Sequence, residues 1–226
     1  MVQVQIGVRR KKKSSGRSSE PIHGHFFFVD IVGLSDPTKG GTESQIRKII
    51  ALHRCIRSCS AYQSKDKKYI NLTGDGMVIG FLTGPKLPLK LAMQLHKKLS
   101  RYNRNMSWNA KVEVRIGIDS APILEYKDIL GQKNIWGDGI ILAKRVMDRA
   151  RANDIYLTAR AAEALKQFDE FRHVIQVLGE KPIKHGQWIR LYFACGKGFG
   201  NRKRRLRRVL EQSSKIDSMD KALSSD

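Results

Sequence analysis

The stretch HFFFVDIVG at residues 25–33 places one carboxylate, Asp30, inside an otherwise aromatic and β-branched run. A run of this composition predicts a buried β-strand. Burying a carboxylate costs several kcal/mol unless a cation or hydrogen bonds compensate it, so Asp30 requires an explanation. One explanation is a turn through Gly33 and Ser35 that Asp30 caps, and the other is a cation site.

The elements that follow this strand predict an α+β fold. A helix, a hairpin, a second helix and a strand come after it, which gives the βαββαβ order of a ferredoxin-like core. Further elements then add to the core on its C-terminal side. The predicted elements are a strand at 25–33, a helix at 41–61, a hairpin at 69–72 and 77–81, a helix at 85–102, a strand at 111–118, a helix at 138–150, a strand at 155–157, a helix at 159–167 and a closing hairpin at 173–178 and 188–195.

A second carboxylate, Asp75, lies in the turn TGDG of the predicted hairpin, at residues 73–76. This hairpin neighbours the first strand in a ferredoxin-like sheet, so we expect Asp30 and Asp75 to approach each other. Paired carboxylates repel, and bound Mg²⁺ or Mn²⁺ relieves the repulsion. For Asp75 alone, the turn preference of Asp-Gly is a sufficient explanation. The two acids together favour a two-metal site suited to phosphoryl chemistry.

Length and composition favour one domain with two basic tails. The chain has 226 residues, of which 41% are hydrophobic, and we place the domain at 21–195 and the tails at 1–20 and 196–226. The stretch GKGFG at 196–200 is expected to be a linker, because it lacks the ending of a phosphate loop. No apolar run reaches the roughly 20 residues of a membrane span and no signal peptide is recognised, so we expect a soluble, cytoplasmic protein.

The formal net charge is +22 at pH 7. The excess of cations within the domain favours a polyanionic substrate such as a nucleoside triphosphate. Nucleic-acid binding through the basic runs at 9–13 and 202–208 is a less favoured alternative, because charge runs flanked by Ser and Gly are usually solvated.

Five segments, in order, resemble the catalytic domain of class III nucleotidyl cyclases, the adenylate and guanylate cyclase family. Each segment alone is a weak signal, whereas the ordered set across residues 25–195 is specific. The segments are FVDIVGLS at 28–35, NLTGDG at 71–76, VRIGI at 114–118, IWGDGI with AKRV at 135–140 and 143–146, and IKHG followed by LYF at 183–186 and 191–193. The resemblance implies the class III cyclase fold and an enzyme that forms a 3′,5′-cyclic nucleotide and pyrophosphate from a nucleoside triphosphate.

The resemblance also implies the roles of individual residues. Asp30, Asp75 and the main-chain carbonyl of Ile31 would hold two divalent ions, Mn²⁺ or Mg²⁺. The nucleophile would be the 3′-hydroxyl of the substrate, so no protein nucleophile is required. Family members work as head-to-tail dimers with the sites at the interface, which implies a homodimer with two shared sites.

Contacts to the triphosphate are implied in the same way. Main-chain amides around Gly33, Leu34 and Ser35 would cradle the phosphates. The remaining cations would act on the substrate: Arg115 and Lys184 on the triphosphate tail, and Arg145 on the charge that develops at the α-phosphate.

Two departures from the family concern the base. Four residues before Asp75, where adenylate cyclases carry Lys and guanylate cyclases Glu, this chain has Asn71. Where those enzymes carry Asp or Cys, just before the IWG run, it has Asn134. Both amides donate and accept hydrogen bonds and suit the edge of a pyrimidine. This resembles the pyrimidine cyclases of bacterial Pycsar antiphage systems, which make cyclic UMP or cyclic CMP as second messengers.

Alternatives stay open at this point. A purine cyclase is one, with Asn71 a plain strand residue and Asn134 a plain loop residue. A catalytically inactive homologue that senses nucleotides is another, although the presence of both Asp30 and Asp75 argues against it. Ile141 is a third departure, because the family has Asn there, on the helix face that also carries Arg145.

Overall fold

Strands and helices follow one another largely as the hydrophobic pattern predicts. The computed structural model describes residues 20–66 and 68–207. The elements are β1 (Ile22–Ile31), α1 (Thr42–Arg57), α2 (Ser60–Gln63), β2 (Lys68–Leu72), β3 (Gly76–Phe81), α3 (Leu87–Asn103), β4 (Val114–Lys127), β5 (Lys133–Trp136), α4 (Asp138–Asp148), β6 (Ile155–Thr158), α5 (Ala159–Lys166), α6 (Asp169–Arg172), β7 (Ile175–Pro182) and β8 (Trp188–Ala194).

The strands form one sheet in the order β2-β3-β1-β4-β6-β8-β7, with β5 paired to β4 outside this path. β1 is antiparallel to both β3 and β4. The part β2-β3-β1-β4, with α1 and α3 as its crossovers, is the ferredoxin-like βαββαβ core. Strands β6, β8 and β7 extend the sheet beyond β4. The predicted α+β fold, a ferredoxin-like core with C-terminal additions, is confirmed.

Alternate residues of β1 face opposite sides of the sheet. Phe27 and Val29 pack in a core with apolar residues of α1 and α3. Phe26 and Phe28 pack on the other side, against α4. Asp30 continues the second series, so its carboxylate lies on the face that α4 covers.

The helix α4 lies directly on the backbone of β4 at Gly117. A Cβ atom at this position would come within 2.1 Å of the carbonyl oxygen of Ala143 and 2.6 Å of the amide nitrogen of Met147. The close approach therefore requires glycine. It fixes the helix that carries Arg145 against the strand that carries Arg115.

The structure also has β5 and α6, which were not predicted, and two of the predicted elements differ for a local reason. The helix expected at 41–61 is broken into α1 and α2, because Cys59 between them is extended, with φ −81° and ψ 131°, and its side chain is buried. β4 continues past the predicted end at 118, because its residues 124–127 pair with β5 in a hairpin.

The described part of the predicted C-terminal tail, residues 196–207, packs against the domain. Phe199 is only 7% exposed and joins the main core, which corrects the expectation of a linker at 196–200. Arg204 forms an ion pair with the buried Asp154, Nε to Oδ1 2.9 Å. The folded unit thus continues past the predicted boundary at residue 195.

The basic run at 9–13 lies outside the described residues, as does the chain beyond 207. Within the described ranges, none of the helices is both long and apolar enough to cross a membrane.

Candidate active site

Asp30 and Asp75 meet where β1 passes the β2–β3 hairpin. In the sheet register Asp30 lies opposite Gly76 of β3. A Cβ atom at position 76 would lie 2.1 Å from the carbonyl oxygen of Val29 and 3.1 Å from Oδ1 of Asp30. Glycine is therefore required for the hairpin to approach β1 this closely, and the approach lets the carboxyl groups of Asp30 and Asp75 interact directly. The expected convergence of the two acids is observed.

The pKa of Asp30 is raised above its ordinary value. Burial is the main cause, and the neighbouring Asp75 adds to it, while hydrogen bonds from Arg115 act in the opposite direction. Asp75 thus disfavours the charged form of Asp30, and a bound cation would relieve this.

Arg115 supplies a cation to Asp30 in this structure. Its Nε and Nη2 donate to Oδ2 of Asp30 at 2.9 and 2.6 Å. Nη2 also lies 4.0 Å from Oδ1 of Asp148, at the end of α4. The family resemblance implies that Arg115 binds the triphosphate. In this structure Arg115 pairs with Asp30 instead, because the two residues lie opposite each other in the β1–β4 register.

The turn after β1 leaves backbone donors available. Gly33 has a positive φ of 65°, and its carbonyl accepts the amide of Asp36 at 3.3 Å. The side chain of Leu34 is buried and anchors the turn. Among the described residues, the amides of Gly33, Leu34 and Ser35 find no intramolecular acceptor. Such a row of free N–H groups beside two carboxylates is suited to phosphate oxygens.

The two predicted base-contacting residues touch each other. Asn71 Nδ2 donates to Oδ1 of Asn134 at 3.1 Å, and Asn134 Nδ2 donates back to Oδ1 of Asn71 at 3.4 Å. Asn134 is further held by the amide of Ile135, which donates to its Oδ1 at 2.8 Å. Tyr69, on the same side of β2 as Asn71, donates to Glu125 of β4. Sequence reasoning did not single out this second pair.

The remaining predicted cations lie apart from the two acids. Arg145 Nη1 donates to Oε1 of Gln187 at 3.1 Å, a partner that sequence reasoning missed. Lys184 is exposed in a short 3₁₀ turn, Lys184–Gly186. Within the described residues neither cation forms an ion pair with Asp30 or Asp75.

The donor set fits divalent ions that are shared with a substrate. In residues 20–66 and 68–207, no three His, Cys, Asp or Glu side chains are grouped as a complete metal site. Mg²⁺ and similar ions are often held by one or two carboxylates, with water and substrate phosphates completing the shell. Asp30, Asp75 and the adjacent carbonyl of Ile31 provide oxygen ligands of this kind.

Comparison with solved structures finds the same fold. The guanylate cyclase domain of RhGC from Catenaria anguillulae, in complex with GTP, gives a TM-score of 0.64 at 16% identity and covers 77% of this chain and 97% of its own. The adenylate/guanylate cyclase/hydrolase from Silicibacter pomeroyi gives 0.64 at 20% identity, covering 78% and 98%. The adenylyl cyclase CyaB from P. aeruginosa gives 0.61 at 15% identity, covering 80% and 98%. No curated protein sequence matches the chain.

The structural neighbours, at 15–20% identity, show the fold but not the family, and a family model shows the family. The model of the adenylate and guanylate cyclase catalytic domain matches residues 25–195. The matched range includes the two acids, both asparagines and all three predicted substrate cations. With most of its length matched, the chain belongs to the adenylate and guanylate cyclase catalytic domain family.

Proposed function

We propose that this nucleotidyl cyclase acts on pyrimidine nucleotides, converting UTP to cyclic UMP or CTP to cyclic CMP with release of pyrophosphate. The observation that carries the proposal is the reciprocal pairing of Asn71 and Asn134, where purine cyclases of the family use other residue types.

The two amides suit a pyrimidine because each presents one donor and one acceptor. Their hydrogen bonds to each other can be exchanged for hydrogen bonds to a base, whether the base presents the donor and acceptor pattern of uracil or that of cytosine. Rotation of an amide by half a turn interchanges its donor and acceptor, so the same pair suits uracil or cytosine. A charged side chain at position 71 or 134 would only donate or only accept hydrogen bonds, and would therefore favour one of the two bases.

Catalysis in this proposal depends on charge placement. Asp30, Asp75 and the carbonyl of Ile31 would hold two divalent ions, Mn²⁺ or Mg²⁺. Bound there, such ions supply activation of the 3′-hydroxyl and neutralisation of the leaving pyrophosphate. The free amides of Gly33, Leu34 and Ser35 would bind phosphate oxygens beside them.

Arg115 has two successive partners in this proposal. It neutralises Asp30 until a metal cation takes that place, and its guanidinium is then free to bind the triphosphate tail together with Lys184. Arg145 would stabilise the charge that develops on the α-phosphate. Ile141, on the same helix face, offers that phosphate no hydrogen bond.

A head-to-tail homodimer would complete the site. Arg145 and Lys184 have no ion-pair contact with the two acids in one chain, so the substrate would take them from the partner. Large apolar side chains that a monomer leaves in water support an interface on the β4–β5 hairpin and β8: Tyr126, Ile129, Leu130, Trp136 and Trp188 are 45%, 100%, 76%, 59% and 67% exposed.

A biological role follows from the resemblance to the Pycsar pyrimidine cyclases. On that basis we propose that the product is a second messenger in antiphage defence and that the enzyme acts in the cytoplasm. Comparing phage titres on cells with the intact gene and with an Asp75→Asn variant tests this role.

Product identification tests the specificity. The purified protein, at several concentrations with Mn²⁺, is incubated separately with ATP, GTP, CTP and UTP, and the products are identified by mass beside an Asp75→Asn control. Cyclic UMP or cyclic CMP, absent from the control, supports the proposal. Cyclic AMP or cyclic GMP alone makes the protein a purine cyclase, and no product from a well-folded dimer favours a nucleotide-sensing homologue.

A further inference from the structure

A cavity of about 700 Å³ lies where the end of α3 and the residues before β4 meet the C-terminal segment. The helix α3 covers the sheet face opposite Asp30. None of the predicted active-site residues lines the cavity. Its volume lies within the range of about 300–1,000 Å³ that is typical of small-molecule sites.

The cavity lining is strongly cationic. Arg104, Lys111, Arg202 and Arg205 all line it, and Glu113 is the one carboxylate among the lining residues. Within the described residues, none of the four cations forms an ion pair. The planar guanidinium groups of the three arginines match the geometry of phosphate oxygens.

The carboxylate in the lining is already engaged within the protein. Oε1 of Glu113 accepts a hydrogen bond from Nδ2 of Asn153 at 3.0 Å. Asn153 itself has a positive φ of 63°, which a residue other than glycine seldom adopts. The hydrogen bond leaves the charge of Glu113 in place, so the four lining cations outnumber the one lining carboxylate.

A buried histidine adds a directional donor. His96 lines the cavity and is 6% exposed. Its Nδ1 accepts the amide of Gly200 at 3.0 Å, so the ring proton of the neutral imidazole is on Nε2. Among the described residues, Nε2 has no hydrogen-bond partner. Buried donors are nearly always paired in proteins, so this N–H is an unsatisfied donor on a residue that lines the cavity.

The C-terminal segment is held in place as the wall of the cavity. Phe199 is buried in the core, and Arg204 is paired with Asp154. Arg202 lies between these two anchors in the chain and Arg205 directly follows the second, so the backbone that carries both arginines is held beside the cavity.

We propose that this cavity is a second anion site, separate from the catalytic one, which binds a small molecule with two or more linked phosphate groups. Four cations would share the phosphates, and a phosphate oxygen that reached Nε2 of His96 would pair this unsatisfied donor. A free polyphosphate and a nucleotide share this chemistry.

Calorimetric titration with inorganic phosphate, pyrophosphate and tripolyphosphate in EDTA tests the site. EDTA removes the divalent ions through which Asp30 and Asp75 would bind phosphate groups at the catalytic site. We expect saturable binding that tightens with the number of phosphates. Absence of saturable binding, or an affinity that does not rise along the series, overturns the proposal.

Paired variants locate the binding. Arg104→Ser with Arg205→Ser should raise the Kd for tripolyphosphate by at least about tenfold. Arg54→Ser with Arg57→Ser removes the same charge from another basic depression, on α1, and should change the Kd by less than about twofold. Equal weakening by both pairs shows non-specific attraction and overturns the proposal.

Two more variants complete the design. Arg145→Ser with Lys184→Ser should leave tripolyphosphate binding in EDTA intact; if this pair abolishes binding, the anion is at the catalytic site and the proposal is wrong. Lys111→Glu, at an exposed position, gives an independent test of the cavity should the arginine pair fail to fold. Addition of UMP, CMP, UDP and CDP to the titration series distinguishes a nucleotide from a free polyphosphate.

Discussion

Nη2 of Arg115 lies 2.6 Å from Oδ2 of Asp30, so an acid that the fold buries is neutralised by a strand neighbour on the same face of the sheet. The pairing explains how the protein tolerates a carboxylate between Val29 and Ile31 before any metal binds. In the proposed mechanism a metal cation would take the place of this guanidinium beside Asp30.

Removing this partner should destabilise the metal-free protein. Arg115→Met leaves Asp30 buried without its cation, and we expect the free energy of unfolding to fall by about 1–3 kcal/mol in EDTA at neutral pH. Urea denaturation measures the change. Arg149→Met, at the exposed residue that directly follows α4, is the matched control and should have little effect. Equal losses in the two variants contradict the assignment.

Neutralising the second acid should separate stability from activity. With Mn²⁺, Asp75→Asn should reduce cyclase activity by at least about a hundredfold, because the ions lose a ligand. In EDTA the same variant should be at least as stable as the unmodified protein, since the repulsion with Asp30 is gone. Thermal unfolding with and without Mn²⁺ distinguishes these effects. A variant that is destabilised in EDTA shows a structural role for Asp75 instead.

Exchanging the amide pair should change the base. Asn71→Lys with Asn134→Asp introduces the residue types of adenylate cyclases. We expect kcat/KM for the pyrimidine substrate to fall by about 10–100-fold relative to that for ATP, since a buried polar match is lost. Tyr69→Phe is the control, because it removes a hydrogen bond next to the amide pair and leaves Asn71 and Asn134 unchanged. Unchanged substrate ratios in the double variant exclude base reading by Asn71 and Asn134.

Shared active sites should allow two inactive variants to complement each other. In a head-to-tail dimer, mixing Asp75→Asn chains with Arg145→Met chains gives heterodimers with one intact site. With random exchange, about a quarter of the unmodified activity should return. Each variant alone is the control. If the mixture stays inactive although mass photometry shows heterodimers, the acids and Arg145 act within one chain.

Two histidines with lowered pKa values should make the fold sensitive to acid. Burial lowers the pKa of both His25 and His96 from 6.5 to about 4. Between these values the unfolded chain binds protons that the native protein excludes, so the free energy of unfolding falls as the pH falls from about 6.5 to about 4. Each histidine contributes up to about 1.4 kcal/mol per pH unit. Denaturation curves for His96→Gln should show a shallower pH dependence, whereas the exposed His173→Gln should leave it unchanged.

Much of the site was predictable because its residues lie in regular strands or in a turn between them. The ferredoxin-like order of the elements places the Asp-Gly turn beside β1, and this predicts that Asp30 and Asp75 meet. The link between Asp30 and Arg115 was not predictable, because it depends on the register of two strands that are far apart in sequence. Gln187 was missed as a partner of Arg145 because the contact joins a helix to a turn that is 42 residues away in sequence.

The C-terminal segment was mispredicted for another reason. Phe199 is an isolated apolar residue among glycines, and one such residue has no periodicity that would indicate burial. Only the packed core shows that a hydrophobic space near α3 is filled from this end of the chain.

The packing of Phe199 and Arg204 has a practical consequence for work on this enzyme. The family match ends at residue 195, and a fragment cut there would follow common practice in choosing a boundary for expression. That fragment would lack an aromatic ring of its own core and would leave Asp154 buried without its guanidinium partner. A catalytic fragment that is meant to fold should therefore extend at least through Arg207.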